Sequence, residues 1–214
     1  MLPRDGQLLA ATTYARRAAT LRRLLGDQAV QAYDELDDYE QADLDAFLDK
    51  VVPLSLAAQR AMASTLAGYL YTASGEYPGE PLDLDEVTGD AIRPDNGLRA
   101  QWQIPWWAML GALGAGVAWA VVVAGTRNLV RTQAVTDLSL VQSATVAKLA
   151  PQLPTVLGYR RVLSGPGCDF CTAAAAQLYR SADLMDLHPG CNCAVAAVFA
   201  DADPAAALNS TMEG

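Results

Sequence analysis

The sequence predicts a mainly α-helical protein, a helical bundle with a small C-terminal β-finger that carries a Cys/His metal-site pattern. Three observations predict this fold class. Long segments before residue 150 place apolar residues at helical spacing. Two short runs near the C-terminus, YRRVL and CAVAAVF, have the composition of strands. All four cysteines and the only histidine lie between these runs or at the start of the second.

The composition limits the classes of function. The chain has 214 residues, which is enough to bury a substantial core in one or two domains. Its formal net charge is −9, so we expect no wrapping of bare DNA, because the chain and the phosphates repel each other. We expect no secretory signal in MLPRDGQLLAATTYARRA, and therefore folding in a reducing cytoplasm.

Breaks in the apolar patterns divide the chain into regions. An acidic segment rich in proline and glycine, in which apolar residues show no regular spacing, separates two helical parts of the chain. Prolines end the second helical part. We expect an N-terminal helical region (1–75), an acidic loop or linker (76–100), a helical core (101–155), the Cys/His β-finger module (156–200) and a flexible tail (201–214).

The first helical pattern covers residues 7–25. Tyr14, Ala18, Leu21 and Leu25 recur at helical spacing, and Arg22 is assigned with its arginine neighbours to the outward faces. Gly26 is interpreted as the helix stop, since glycine is common just after helix ends.

The second helical pattern runs from Leu44 to Tyr69 and stops near Gly75. Pro53 lies inside it and predicts a kink or a new helix start.

Residues 104–126 contain no charged side chain. One interpretation is a membrane span, which needs about 20 apolar residues. Three clustered glycines favour a second interpretation: a short helix to about Leu113, a turn near Gly114–Gly116, and a long helix toward Leu149. On this interpretation the run is buried in the bundle core, and we expect no membrane span.

The Cys/His tract consists of a C-x2-C pair, a spacer and an H-x2-C-x-C group. This layout is typical of a structural zinc site, since two thiolates at C-x2-C spacing can face one tetrahedral metal. The five candidate ligands are Cys168, Cys171, His188, Cys191 and Cys193. The preferred set is the first four, and the all-thiolate set, with Cys193 in place of His188, is the alternative.

Two other interpretations of the tract remain open. Disulfides would join Cys168 or Cys171 to Cys191 or Cys193. A catalytic thiol–imidazole pair would need an oriented imidazole and an oxyanion hole, and the sequence contains no nucleophile signature. If a zinc is present, we expect its removal to unfold residues 159–199 and to spare the helices, because a short finger has little core.

The C-terminal half resembles the Mu F-like minor head proteins of tailed phages, in the version found in phages of actinobacteria. In that version an RV strand precedes C-x2-C, and His-Pro-x-Cys-x-Cys precedes a short strand. The matching positions are Arg161-Val162, Cys168, Cys171, Tyr179-Arg180-Ser181, His188-Pro189, Cys191 and Cys193. The upstream segment ALGAGVAWAVVVAGTRNLVRTQAVTDLSL is similar to the helices of the family, although AAAAQLYRS lacks the Gly-Pro common in relatives.

The resemblance implies a low-copy virion protein that acts in head assembly. The protein is in the host cytoplasm during assembly and inside the capsid in the virion, and some relatives leave the head with the DNA during ejection. Its expected partners are the portal protein and the major capsid protein or scaffold, with packaged DNA nearby but no sequence-specific binding. The alternative function is a capsid maturation protease, a name often given to such proteins. A second alternative is a membrane-active ejection protein that uses residues 104–126.

Overall fold

The computed structural model describes residues 1–36, 39–78, 80–163, 169–180 and 188–210. It confirms a mainly helical fold with a small two-stranded sheet near the C-terminus. The elements are α1 (Arg4–Asp34), α2 (Gln41–Ser74), α3 (Gly97–Gly114), α4 (Trp119–Leu149), β1 (Gly158–Val162), α5 (Asp169–Ala175), β2 (Ala194–Val198) and α6 (Pro204–Ser210). Short 3-10 turns occupy Leu84–Glu86, Gly89–Ile92 and Ala150–Gln152.

The three long helices form the body of the molecule. α1 packs on both α2 and α4, α2 packs on α4, and α3 lies against α4 and α2. Fully buried side chains such as Leu48, Leu66, Trp102 and Leu138 fill the space between them. The apolar stripes of the sequence therefore face one shared core, which provides most of the stability of such helices.

Two positions where the sequence predicts a helix stop, or a kink or new start, lie inside continuous helices. α1 passes through Gly26 and ends at Asp34, so the predicted stop is wrong. A Cβ at Gly26 would lie 3.2 Å from Cγ of Arg131, so this glycine gives room for the α4 side chain. α2 passes through Pro53 without a new start and ends before Gly75, whose φ of 73° is the left-handed conformation expected at a helix C-terminus.

The turn between α3 and α4 is confirmed, but the burial expected around it is wrong in part. α3 ends at Gly114, and Gly116 adopts a φ of 78°. Trp106, Met109 and Val122 are buried, whereas residues 114–121 are all exposed. Among the described residues, no helix combines the length and apolar character that crossing a membrane requires.

The two predicted strands pair antiparallel, with Gly158 opposite Val198 and Val162 opposite Ala194. Every β2 residue is buried, and the strands belong to the same apolar core as the helices. The Ala197 amide donates to the Tyr69 hydroxyl at 3.0 Å, which ties β2 to α2.

Residues 204–210 form α6, where the sequence predicts a flexible tail. Ala205 is fully buried, and the Asn209 side chain contacts the end of β1. Its amide donates to the Arg161 carbonyl at 2.9 Å, and its oxygen accepts from the Leu163 amide at 3.0 Å. These tertiary contacts hold an Ala-rich segment that is too short to be a stable helix alone.

Candidate metal centre

Two separate segments bring the cysteines together. Cys171 lies in the first turn of α5, and Cys191 and Cys193 lie just before β2. In an extended chain, residues two apart face the same side, so both of the latter thiols can face Cys171. Cys168, the other member of the C-x2-C pair, lies outside the described residues.

The Sγ atoms of Cys171, Cys191 and Cys193 lie within 4.8 Å of one another. All three side chains are buried, and all three are free thiols. The Cys171 and Cys191 sulfurs are 3.5 Å apart, close to the ~3.7 Å between two sulfurs that share a tetrahedral zinc at ~2.3 Å. The cluster is therefore compatible with a metal site.

His188 lies at the edge of this cluster. Its Nε2 is 3.1 Å from Sγ of Cys171, and its Nδ1 is 3.1 Å from the Pro189 carbonyl oxygen. The ring is exposed and makes an edge contact with Phe170. His188 thus reaches one thiol, and an imidazole whose second nitrogen contacts a carbonyl is suited to metal ligation or to proton transfer.

A tight turn places Cys191. The Cys191 amide donates to the His188 carbonyl at 3.1 Å, and Gly190 adopts a φ of 78° that favours glycine. α4 holds this turn through two hydroxyls. Oγ1 of Thr136 accepts from the Gly190 amide at 3.1 Å, and Oγ of Ser139 donates to the Cys191 carbonyl at 3.1 Å.

Arg22 of α1 holds the following residues. Its guanidinium donates to the Cys193 carbonyl at 2.8 Å and to the Asn192 carbonyl at 3.2 Å. It also donates to Oε1 of Gln142, whose amide donates to the Tyr14 hydroxyl. The cysteine segment is therefore attached to α1 and α4 by a buried polar network.

The assignment of Arg22 to an outward face is wrong, because its side chain is 1% exposed. The expected stripe ran through Leu21, which is only partly buried. Arg22 follows Ala18 by four residues, so the same helical face contains both. Because Arg22 is charged, it was not assigned to the apolar stripe. Its hydrogen-bond acceptors belong to residues about 120 and 170 positions away in the sequence, so they gave no local signal. Thr136, Ser139 and Gln142 carried no sequence signal of a role at the site.

Two buried arginines make the surroundings of the thiols electropositive. Burial lowers the pKa of the Arg22 guanidinium, while Tyr14, Cys191 and Cys193 raise it. Burial likewise lowers the pKa of Arg161, and Cys191 and Cys193 raise it. Such cations compensate the negative charge of thiolates, the form in which cysteine binds metals.

The thiols of Cys191 and Cys193 titrate as a pair. The hydrogen bond from Cys193 lowers the pKa of Cys191, and the same interaction raises the pKa of Cys193. These opposite shifts have one cause: the first thiolate forms at Cys191 and holds the remaining proton on its neighbour. A bound cation would remove that competition by stabilising both thiolates.

A family model described as VG15 protein matches residues 7–212 of the chain. No curated protein and no solved structure matches the chain. The matched range contains α1 apart from its first three residues, the other helices of the bundle, both strands and all five candidate ligands.

Proposed function

Because the chain belongs to the VG15 protein family, which indicates a phage-encoded protein, we propose that it is a structural minor capsid protein. It acts inside the phage head, attached to the portal or to the inner capsid wall, in head assembly. The observation that supports this role is the burial of three clustered thiols, two of which lie in a segment fixed to the bundle. That arrangement suits a stabilising centre better than a substrate site.

The proposal includes one structural zinc per chain. Cys171, Cys191 and Cys193 supply three thiolates, and either Cys168 or His188 completes the tetrahedron. Elemental analysis of the purified protein gives the stoichiometry, and the near-ultraviolet absorption of a cobalt(II)-substituted sample reports the number of thiolate ligands. Metal-free protein with four titratable thiols would contradict the zinc proposal, and protein with fewer than four would support disulfides.

The capsid role is tested by incorporation into heads. We expect Cys191→Ser to remove a metal ligand and reduce the copies of this protein in purified proheads, measured by quantitative mass spectrometry. Asn192→Ser is the matched control, because Asn192 lies between the two cysteines in sequence, its side chain is exposed, and its carbonyl contact to Arg22 is retained. Digestion of intact and opened particles with an added protease locates the protein. Cleavage in intact heads would contradict an interior position.

The proposed partners are the portal protein, the major capsid protein or the scaffold. The net charge of −9 argues against an extended contact with DNA, so packaged DNA is a neighbour without sequence-specific binding. Cross-linking of proheads followed by mass spectrometry identifies which of these proteins contacts the chain.

One observation favours a second candidate function, a capsid maturation protease. The distance of 3.1 Å between Sγ of Cys171 and Nε2 of His188 is the hydrogen-bond distance expected between a nucleophile and its general base. However, Cys171 is 5% exposed and lies beside two further thiols, as a metal ligand does. If Cys171→Ser protein folds and enters proheads while the capsid and scaffold proteins keep unprocessed termini, the protease function is right and the structural one is wrong.

A further inference from the structure

The turn between α3 and α4 presents an unusual surface, which we call the hairpin tip and define as residues 110–121. Eight consecutive residues, 114–121, are exposed, and none of them has a polar side chain apart from the indole of Trp119. Six large apolar side chains on and beside the tip are 38–63% exposed: Ile104, Trp107, Leu110, Val117, Trp119 and Val121. Together they expose roughly 500 Å² of apolar surface, which is at the upper end of the largest patch on a typical monomer.

We infer that the hairpin tip binds the hairpin tip of a second copy of this chain, and this inference is independent of the proposed capsid role. Pairing two such surfaces would bury on the order of 1,000 Å², the lower limit for a specific interface. An added Cβ at Gly111 or Gly114 would meet no atom within 4 Å. A helix of the second copy can therefore approach the α3 backbone closely at these positions.

The helix ends at the tip are complementary between two copies. α3 ends at Gly114, where the turn amides of residues 115–117 donate to carbonyls of its last turn, and α4 begins at Trp119 without a side-chain cap. One tip thus carries the negative end of one helix dipole and the positive end of another. A two-fold axis through the tip places each positive end near the negative end of the other copy, which is the pattern of a self-complementary interface.

The same features disfavour insertion of the tip into lipid. Among the described residues, no backbone carbonyl accepts from the amides of residues 118–120, and each unpaired amide costs several kcal/mol in hydrocarbon. The cationic residue nearest the tip on α3 and on α4 already forms an ion pair: Arg99 pairs with Asp49 at 2.9 Å, and Arg127 pairs with Asp34 at 2.6 Å. In the described residues of α3 and α4, the cations nearest the tip therefore already have acidic partners, which weakens their attraction to anionic headgroups.

The test is the oligomeric state of the full chain across a range of concentrations, measured by sedimentation velocity. We expect a concentration-dependent dimer, and we expect Val121→Lys to weaken the association at least ~10-fold, because the two copies would bring like charges together. Leu9→Lys is the matched control. Leu9 is 68% exposed, against 63% for Val121, and lies about 37 Å along α1 from the Asp34 end that adjoins the tip.

Each other outcome overturns the inference. A monomer at all concentrations shows that the tips do not pair. An oligomer that Val121→Lys leaves unchanged, or that Leu9→Lys weakens equally, is formed by another surface. Flotation of a monomeric protein with phosphatidylcholine vesicles, lost in Val121→Lys, identifies a lipid surface as the occupant instead. Circular dichroism of both variants checks that the helices are intact.

Discussion

At the scale of single residues, Arg22 connects the cysteine segment to the helices. A guanidinium is suited to this place because its donors form a rigid fork that can satisfy several fixed acceptors at once. Here it meets the carbonyls of Asn192 and Cys193 and the side chain of Gln142 in a buried environment. Removal of the guanidinium would leave all three acceptors without this donor.

We therefore expect Arg22→Leu to lower the free energy of unfolding by about 3–5 kcal/mol and to weaken metal retention. The neighbouring Arg23 is the control, because it makes one exposed ion pair with Asp27 and its replacement by Leu should cost less than ~1 kcal/mol. Urea denaturation measures both variants. Equal effects would show that the buried contacts of Arg22 contribute little.

Tyr14 makes stability dependent on alkaline pH. Burial raises the pKa of its hydroxyl to about 12, while Arg22 and Gln142 oppose the shift. The native pKa lies above the unfolded one, so this contribution to stability is complete below pH ~10 and is lost as the pH rises through about 12. We expect the free energy of unfolding of Tyr14→Phe to decline less steeply than that of the wild type between pH 10 and 12. Parallel curves in urea titrations would contradict this assignment.

At the scale of elements, the α3–α4 turn depends on one glycine. Gly116 has a φ of 78°, a conformation that L side chains rarely adopt, so Gly116→Ala should cost about 1 kcal/mol. Gly114 is helical and has free space around it, so Gly114→Ala should stabilise the monomer by up to about 1 kcal/mol. Thermal unfolding of the two variants compares them. Effects of the same sign would show that the turn conformation does not control stability here.

A buried ion pair joins α4 to the loop before α3. Oδ1 of Asp137 accepts from Arg93 at 2.6 Å, and the two side chains are 0% and 16% exposed. We expect Arg93→Met or Asp137→Leu alone to lower the free energy of unfolding by about 3–5 kcal/mol, because each leaves the partner's charged side chain buried and without its ion pair. The double variant should cost less than the sum of the two.

The exposed pair Lys50–Glu35, also between two elements, is the control for this cycle. Its coupling energy should stay below ~1 kcal/mol, because water screens both charges. If the urea-derived coupling energies of the two pairs are equal, burial of the Arg93–Asp137 pair has no energetic consequence.

At the scale of the whole molecule, the strands and the helices share a core. Ala194–Ala197 are at most 1% exposed, and they are buried against the bundle. A finger that unfolds alone, as the sequence suggests, would expose the helix surface that now covers β2. The division of the chain into five regions remains a prediction, and this shared core argues against an independent finger.

We accordingly expect chelation of the proposed zinc to lower the stability of the whole chain in one cooperative transition. All four tryptophans lie between residues 102 and 119, so their fluorescence reports on the helices. Hydrogen exchange followed by mass spectrometry reports on β2. If β2 loses protection while the tryptophan transition is unchanged, the finger unfolds alone. No response to the chelator would contradict the zinc.

Local patterns in the sequence were sufficient to predict the four long helices, though not the end of α1, together with the turn near Gly116 and both strands. Each of these depends on spacing or backbone conformation within a few residues, which the sequence displays directly. The C-x2-C and H-x2-C-x-C spacings also identified the candidate ligands, because a tetrahedral metal constrains short loops in a recognisable way.

Only the tertiary structure decided which surfaces are buried. It placed Arg22 inside, left residues 114–121 exposed, and gave Gly26 a packing role beside Arg131. It also brought Cys193 into one cluster with Cys171 and Cys191. The physical reason is the same in each case. Burial depends on the element that packs opposite, which lies far along the chain, and a residue's own type and neighbours do not specify that partner.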